Sequence, residues 1–168
     1  VDVCDMLISS GVIVTVRRRG GQIGETYTAT GHGTYTDFPI AVLVNDMSAS
    51  AAEIVAACLQ DNHRAIVVGE RSYGKGSVQE LIDLEKGCGA MKLTTASYWR
   101  PSGKNIQRPT KTDSKTDSKS DWGVSPNEGF EVAMDRQEQN RWREWRSKRD
   151  VFQSSAANDA KNGGDKKD

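Results

Sequence analysis

Hydrophobic positions change their spacing several times along this chain, and each change predicts a different element. Val1, Val3, Met6 and Leu7 predict the end of a helix, closed near Gly11. Residues 12–17 are β-rich and break at Gly20 and Gly21 before a second run at 26–30, which predicts a hairpin or a pair of edge strands. Pro39 introduces the continuous apolar run 40–44, the pattern of a strand buried on both faces. A helix follows over 49–59, with Ile54, Val55, Cys58 and Leu59 on one face and Asp61 and Asn62 ending it. The run 65–69 is then a second short buried strand, so strand, helix and strand form a crossover unit. Runs 77–84 and 91–98 predict further strands separated by a turn at Gly87 and Gly89. The fold class implied is α/β, a mixed β-sheet core with crossover helices.

The pattern lapses after Arg108. TKTDSKTDSKSD repeats TDSK with no apolar residue, which predicts a flexible loop over 109–121. Apolar character returns over 122–134. Residues 136–152 read as a helix with Trp142, Trp145 and Phe152 roughly on one side, docked by its aromatics while its arginines stay in water. Small and charged residues over 153–168 predict a disordered tail. The expected organisation is a core at 1–134, a C-terminal helix at 135–152 and the tail; 168 residues suit a single core.

Composition narrows the chemistry. Twenty-three basic and 23 acidic residues cancel, so no global field draws nucleic acid or an anionic membrane, and a charged partner must be recognised locally. Arg17, Arg18 and Arg19 are read as a solvated strand edge. No run approaches the roughly 18 apolar residues of a membrane span. Cys4, Cys58 and Cys88 are too few and too far apart for a disulfide framework or a zinc site, and are expected to be buried structural thiols. His32 and His63 add too little for a His/Cys metal cluster.

Three polar residues cluster where the crossover unit turns. Ser50 stands at a strand-to-helix junction, Lys75 in a glycine-flanked turn after the next strand, and Gln79 four residues on. Ser50, Ala51, Ala52 and Glu53 spell S-x-x-E, a capping box that by itself explains the serine. The same position suits a nucleophile. A helix N-terminus stabilises negative charge, and the N–H of Ala51, next after the serine, is placed as an oxyanion donor. A lysine serves as general base only when neutral, so the role requires its pKa to fall from about 10.4 toward 7, a cost of roughly 4 to 5 kcal/mol. Gly74 and Gly76 let backbone approach closely and enclose the long side chain. Gln79 falls on the lysine's face with either helical or strand periodicity and is placed to hold the amine. A solvated turn lysine is the plain alternative.

Two other patterns compete. GERSYGKG nearly matches the phosphate loop GxxxxGK[ST], but Gly76 stands where the magnesium-binding hydroxyl belongs, and SVQELIDL reads as a strand rather than a phosphate-capping helix. A triad of Ser50, His63 and an aspartate is compatible with chain order, although DNHR around His63 reads as a surface turn.

Taken together, VNDMSASAAEIV, AIVVGERSYGKGSVQE and MKLTTASYWRPSGKNIQ resemble, in order, the nucleophile segment, the lysine segment and the following strand and turn of the carboxyl-terminal processing, or tail-specific, peptidases. The resemblance covers about residues 1–107, and GVSPN is similar to a later element that usually ends in proline and aspartate. It implies a crotonase- or Clp-protease-like ββα core and a serine endopeptidase that cleaves proteins near their C-termini through an acyl-enzyme. In it Ser50 is the nucleophile, Lys75 the base, Gln79 its assistant and Ala51 an oxyanion donor. It implies no metal, nucleotide or nucleic acid, and a periplasmic, cell-envelope or otherwise exported location. A PDZ domain that receives the substrate's C-terminus, and a glycine-rich segment with the second oxyanion donor, are expected before Val1. The chain alone is then expected to be inactive or weak. A non-catalytic scaffold or protein-binding module that retains the peptidase fold is the alternative.

Overall fold

The computed structural model describes residues 1–85, 87–110 and 121–149. Most of the expected TDSK loop and the whole of the expected tail lie outside them. The chain divides into two units, Val1–Val132 and Ala133–Asp168.

In the first unit α1 (Asp2–Asp5) leads to β1 (Val12–Arg18), a 3-10 turn at Arg19–Gly21 and β2 (Ile23–Thr28). Then follow β3 (Ala41–Val44), α2 (Ala51–Asp61), β4 (Ile66–Gly69), β5 (Ser77–Asp83) and β6 (Ala90–Trp99). The strands divide between two sheets, where one mixed sheet was expected. An antiparallel sheet runs β2-β1-β6-β5, and β3 pairs with β4 in parallel across the α2 crossover.

Helix α2 carries both hydrophobic clusters. One joins Cys58 and Leu59 to Cys4, Ile8, Ile13, Val14 and Ala65. The other joins Ala56 and Ala57 to Val44, Val67 and Val124. Alanine on this second side lets the helix axis approach the β3–β4 pair closely, so the helix is buried on two sides and not on the single face read from its periodicity.

Several expectations are corrected. Leu43 is 78% exposed, so β3 is covered on one face only. Strand β1 lies inside its sheet, and Arg17 stacks over Trp99 at 4.1 Å instead of lining a free edge; the edge strands are β2 and β5. Cys88 is exposed in the β5–β6 turn, whereas Cys4 and Cys58 are buried. Hydrogen bonding with Cys4, followed by burial, pushes the Cys58 thiol well above its usual range.

Two arginines tie distant segments together. The Arg64 guanidinium donates to the carbonyls of Leu7, Phe38 and Tyr35 at 2.9, 2.9 and 3.1 Å, pinning the stretch that leads into β3. Buried Arg100 pairs with Asp61 at 2.5 Å and donates to Gln60 and to the Gly123 carbonyl, joining the end of β6 to the end of α2. Burial raises the Asp61 carboxyl, but hydrogen bonds from Arg100 and Ser102 outweigh it and hold it below the usual carboxylate range.

The second unit contains α3 (Arg136–Arg149). None of its residues is buried and Trp145 is 54% exposed, while residues 150–152 of the expected helix, Phe152 among them, lie outside the described residues. Arg149 stacks over Trp145 at 4.6 Å, and Lys148 bonds Glu144 one turn back.

Candidate functional site

Strand β3 ends at Val44, and the chain turns into α2 through Asn45, whose side chain accepts the N–H of Met47 at 3.1 Å. The Asn45 carbonyl accepts the N–H of Ser48 at 2.9 Å. Ser50 is the N-cap, with φ 58° and ψ −119°. A non-glycine residue held there costs of order 1–3 kcal/mol, and such conformations collect at functional sites. This is the sharp strand-to-helix elbow that aims a nucleophilic hydroxyl outward in serine hydrolases. The N–H of Ala51 opens the helix and has no protein acceptor among the described residues.

What holds the elbow is Glu53. The capping box forms as expected, with the Glu53 carboxylate accepting the N–H of Ser50 at 2.8 Å. The carboxylate also reaches across to the lysine turn. Its Oε2 accepts the N–H of Lys75 at 2.8 Å, and its Oε1 accepts the N–H of Gly74 at 2.6 Å and the hydroxyl of Ser72 at 2.5 Å. Glu53 is fully buried, with four donors on two oxygens. Ser72 in turn accepts the N–H of Val124 at 2.8 Å, and the N–H of Tyr73 donates to the Ser48 carbonyl at 2.9 Å. The elbow and the lysine turn are therefore one hydrogen-bonded piece. Sequence reading used Glu53 only as a cap; its second role depends on a contact 22 residues away that no local pattern announces.

The glycines around Lys75 are required by space. A Cβ on Gly74 would lie 2.7 Å from Trp122 and 2.8 Å from the Cβ of Arg108, and its φ is +84°. A Cβ on Gly76 would lie 2.4 Å from the backbone nitrogen of Gln107. Close approach of backbone is thus present as expected, but it encloses the glycines and not the lysine side chain, which is exposed. Lys75 precedes β5, and the register slips between Val78 and Gln79, so the shared-face argument does not carry across to the exposed Gln79. Ser50, Ala51 and Lys75 are brought together through the main chain. Among the described residues, no hydrogen bond joins the Ser50 hydroxyl to the Lys75 amine or that amine to Gln79.

The competing patterns do not assemble. His63 lies beyond the far end of α2, whose 11 residues rise about 16 Å, and is exposed. Gly76 leads into strand β5 where a phosphate loop needs a helix. At GVSPN, the Asn127 side-chain oxygen accepts from the N–H of Val67 at 2.8 Å and from Gln60 at 3.0 Å. A carboxylate would take the same two bonds, so asparagine there preserves the tie between β4 and α2.

The family profile described as peptidase family S41 matches residues 1–116. A carboxy-terminal-processing protease of Bartonella bacilliformis is 45% identical over 107 residues, 64% of this chain and 24% of its own length. A carboxyl-terminal-processing protease of Synechocystis is 45% identical over 102 residues, 61% of this chain and 23% of its own. The solved structure of a photosystem II D1 C-terminal processing protease superposes with TM-score 0.65 at 33% identity, over 78% of this chain and 30% of that one. The chain thus spans about a quarter of the length of these curated relatives.

Proposed function

The chain belongs to peptidase family S41, and from that premise we propose that it carries the catalytic dyad of a serine endopeptidase, with Ser50 as nucleophile and Lys75 as general base. The observation that supports this most directly is the strained Ser50 elbow, bonded through one buried carboxylate to the backbone of Lys75. In the proposed reaction Ser50 Oγ attacks the carbonyl carbon of a peptide bond while its proton passes to Lys75 Nζ. The oxyanion that forms is met by the N–H of Ala51. The C–N bond then breaks, and the departing amine takes the proton from Lys75. Water, deprotonated by Lys75, releases the acyl group as a carboxylate and restores Ser50. Gln79 orients the amine when the site is assembled.

A lysine acts as a base only after losing its proton, and the exposed Lys75 side chain calls for a cover. Bound substrate and the rest of the protein supply it in this proposal, together with an upstream PDZ domain and the second oxyanion donor. Substrates are proteins cleaved near their C-termini, the core is of the crotonase or Clp-protease kind, and the location is an exported compartment. Among the described residues no helix is long and apolar enough to cross a membrane.

Ser50→Ala and Lys75→Ala, made in the protein with its upstream region, should each lower cleavage of an unstructured protein by roughly 10³-fold or more. Activity retained by Lys75→Ala, or lost in His63→Ala, would overturn the assignment. The exposure of Lys75 is what a non-catalytic scaffold would also show. Phosphonylation of Ser50 by a fluorophosphonate, with loss of fluoride, separates the two.

A further inference from the structure

Beside the Ser50 elbow, on the side of Ala49 and Lys75, lies an open pocket of about 680 Å³. Its floor is Trp122. The guanidiniums of Arg71 and Arg108 sit 4.8 and 4.9 Å from the centre of that one indole. Two guanidiniums thus line the pocket against the single carboxylate of Asp46, in a chain whose total charge is zero, and Lys75, which the proposed reaction uses without its proton, closes the side toward Ser50. Met47 and Tyr73, 54% and 55% exposed, add apolar wall.

The arrangement is set before any ligand arrives. Trp122 packs against Gly74 so closely that no side chain fits between them. The N–H of Arg108 donates to the Gly74 carbonyl at 2.9 Å, and Arg71 Nε is held by Ser125 Oγ at 3.0 Å. Stacking fixes each guanidinium face and leaves its N–H edges for a planar anion. Among the described residues, no carboxylate forms an ion pair with Arg71, Arg108 or Lys75. Fixed cations over an aromatic floor suit a carboxylate, since the ordering cost has been met within the fold.

We infer that this pocket is a substrate subsite for a peptide carboxylate, either an acidic side chain or a chain-terminal carboxyl group, next to the reacting bond. The inference rests on the peptidase reading for its location and names the chemistry that the site prefers.

The test uses Ser50→Ala in the full chain, so that binding is read without turnover, and follows tryptophan fluorescence. Four blocked peptides serve as probes: acetyl-Ala-Ala-Glu-amide and its Gln counterpart, and acetyl-Ala-Ala-Ala with a free carboxyl or an amide end. At least one carboxylate form should bind about ten-fold more tightly than its neutral counterpart, with the preference shrinking as salt is raised. Preference for Glu over Gln assigns the pocket to a side chain, and preference for free acid over amide assigns it to a terminus. Arg71→Gln and Arg108→Gln, both at exposed positions, should each erode the preference without changing the far-UV circular dichroism. Trp122→Phe should abolish the signal. Equal binding of acid and neutral peptides by the Ser50→Ala chain overturns the inference, as does an unchanged preference in both arginine variants. Such a result leaves the peptidase reading standing. Loss of cleavage tests that reading separately, because carboxylate binding does not require Ser50.

Discussion

Replacing Glu53 by glutamine changes one atom of the buried carboxylate and removes its charge. The amide has a single accepting oxygen, so its NH₂ must face either the Ser50 and Lys75 N–H pair or the Gly74 N–H and Ser72 hydroxyl. The first orientation sets two backbone donors against a donor. The second is cheaper, because Ser72 can accept from the amide beside the N–H of Val124, but it orphans the N–H of Gly74 and the Ser72 O–H, whose acceptor is gone. An orphaned buried donor costs about 1–3 kcal/mol, and the remaining bonds to Ser50 and Lys75 lose their charge assistance. With two such donors the expected total is about 2–6 kcal/mol, a large part of the roughly 5–15 kcal/mol that holds a domain. Urea unfolding of the full chain followed by circular dichroism should show the midpoint falling with an unchanged slope. Glu53→Ala orphans every donor, opens a cavity and should be worse. A loss below about 1 kcal/mol for Glu53→Gln would refute the reasoning, since it would mean that the four bonds do not hold the site.

Other perturbations follow from the same structure. Arg100→Met leaves Asp61 buried with chiefly the Ser102 N–H and should cost about 3–5 kcal/mol in urea unfolding. Because the folded pKa of Asp61 is depressed, its contribution is complete above the unfolded value of about 3.9 and fades as pH falls through the folded one; the acid limb of a stability profile should flatten in Arg100→Met. Gly76→Ala should cost about 1–3 kcal/mol through overpacking against Gln107, while alanine at Gly87, where no atom lies within 4 Å, should meet no clash and cost only its φ of +91°. Leu59→Ala, emptying a 1% exposed site, should cost about 2–5 kcal/mol.

Much of the local structure was legible because it is written in short-range chemistry. The run 40–44 ahead of the S-x-x-E signature predicted β3 and α2, and the turn glycines after Leu84 predicted the β5–β6 hairpin. The partition of strands between sheets was not legible, since β1 pairs with β6 across 78 to 84 residues of chain. Exposure misled in the same way. Leu43 reads as core from its neighbours, yet in this chain β3 has only β4 beside it. At the site, Ser50 and Lys75 could be chosen from residue type and turn context, and the family match covers both. The strain at Ser50 and the bond from Glu53 to Lys75 could not be read, because φ at one residue and a contact between two turns leave no mark in spacing. Trp122 carries the least signal of all. It follows a polar stretch, and only the tight space at Gly74 reveals why an indole stands there.

Arg64 takes the carbonyl oxygens of three partners and also lays its guanidinium 5.2 Å from the centre of the Phe38 ring. Every amino acid supplies a carbonyl, so that part of the clamp is blind to the identity of Leu7 and Tyr35, while the ring contact singles out Phe38. The path of residues 29–39 is accordingly set from outside, by this cation together with the Asp5 carboxylate that holds Thr30 and the Met6 carbonyl that takes the N–H of Tyr35, so side chains away from Thr30 and Phe38 can be exchanged while the route into β3 stays the same.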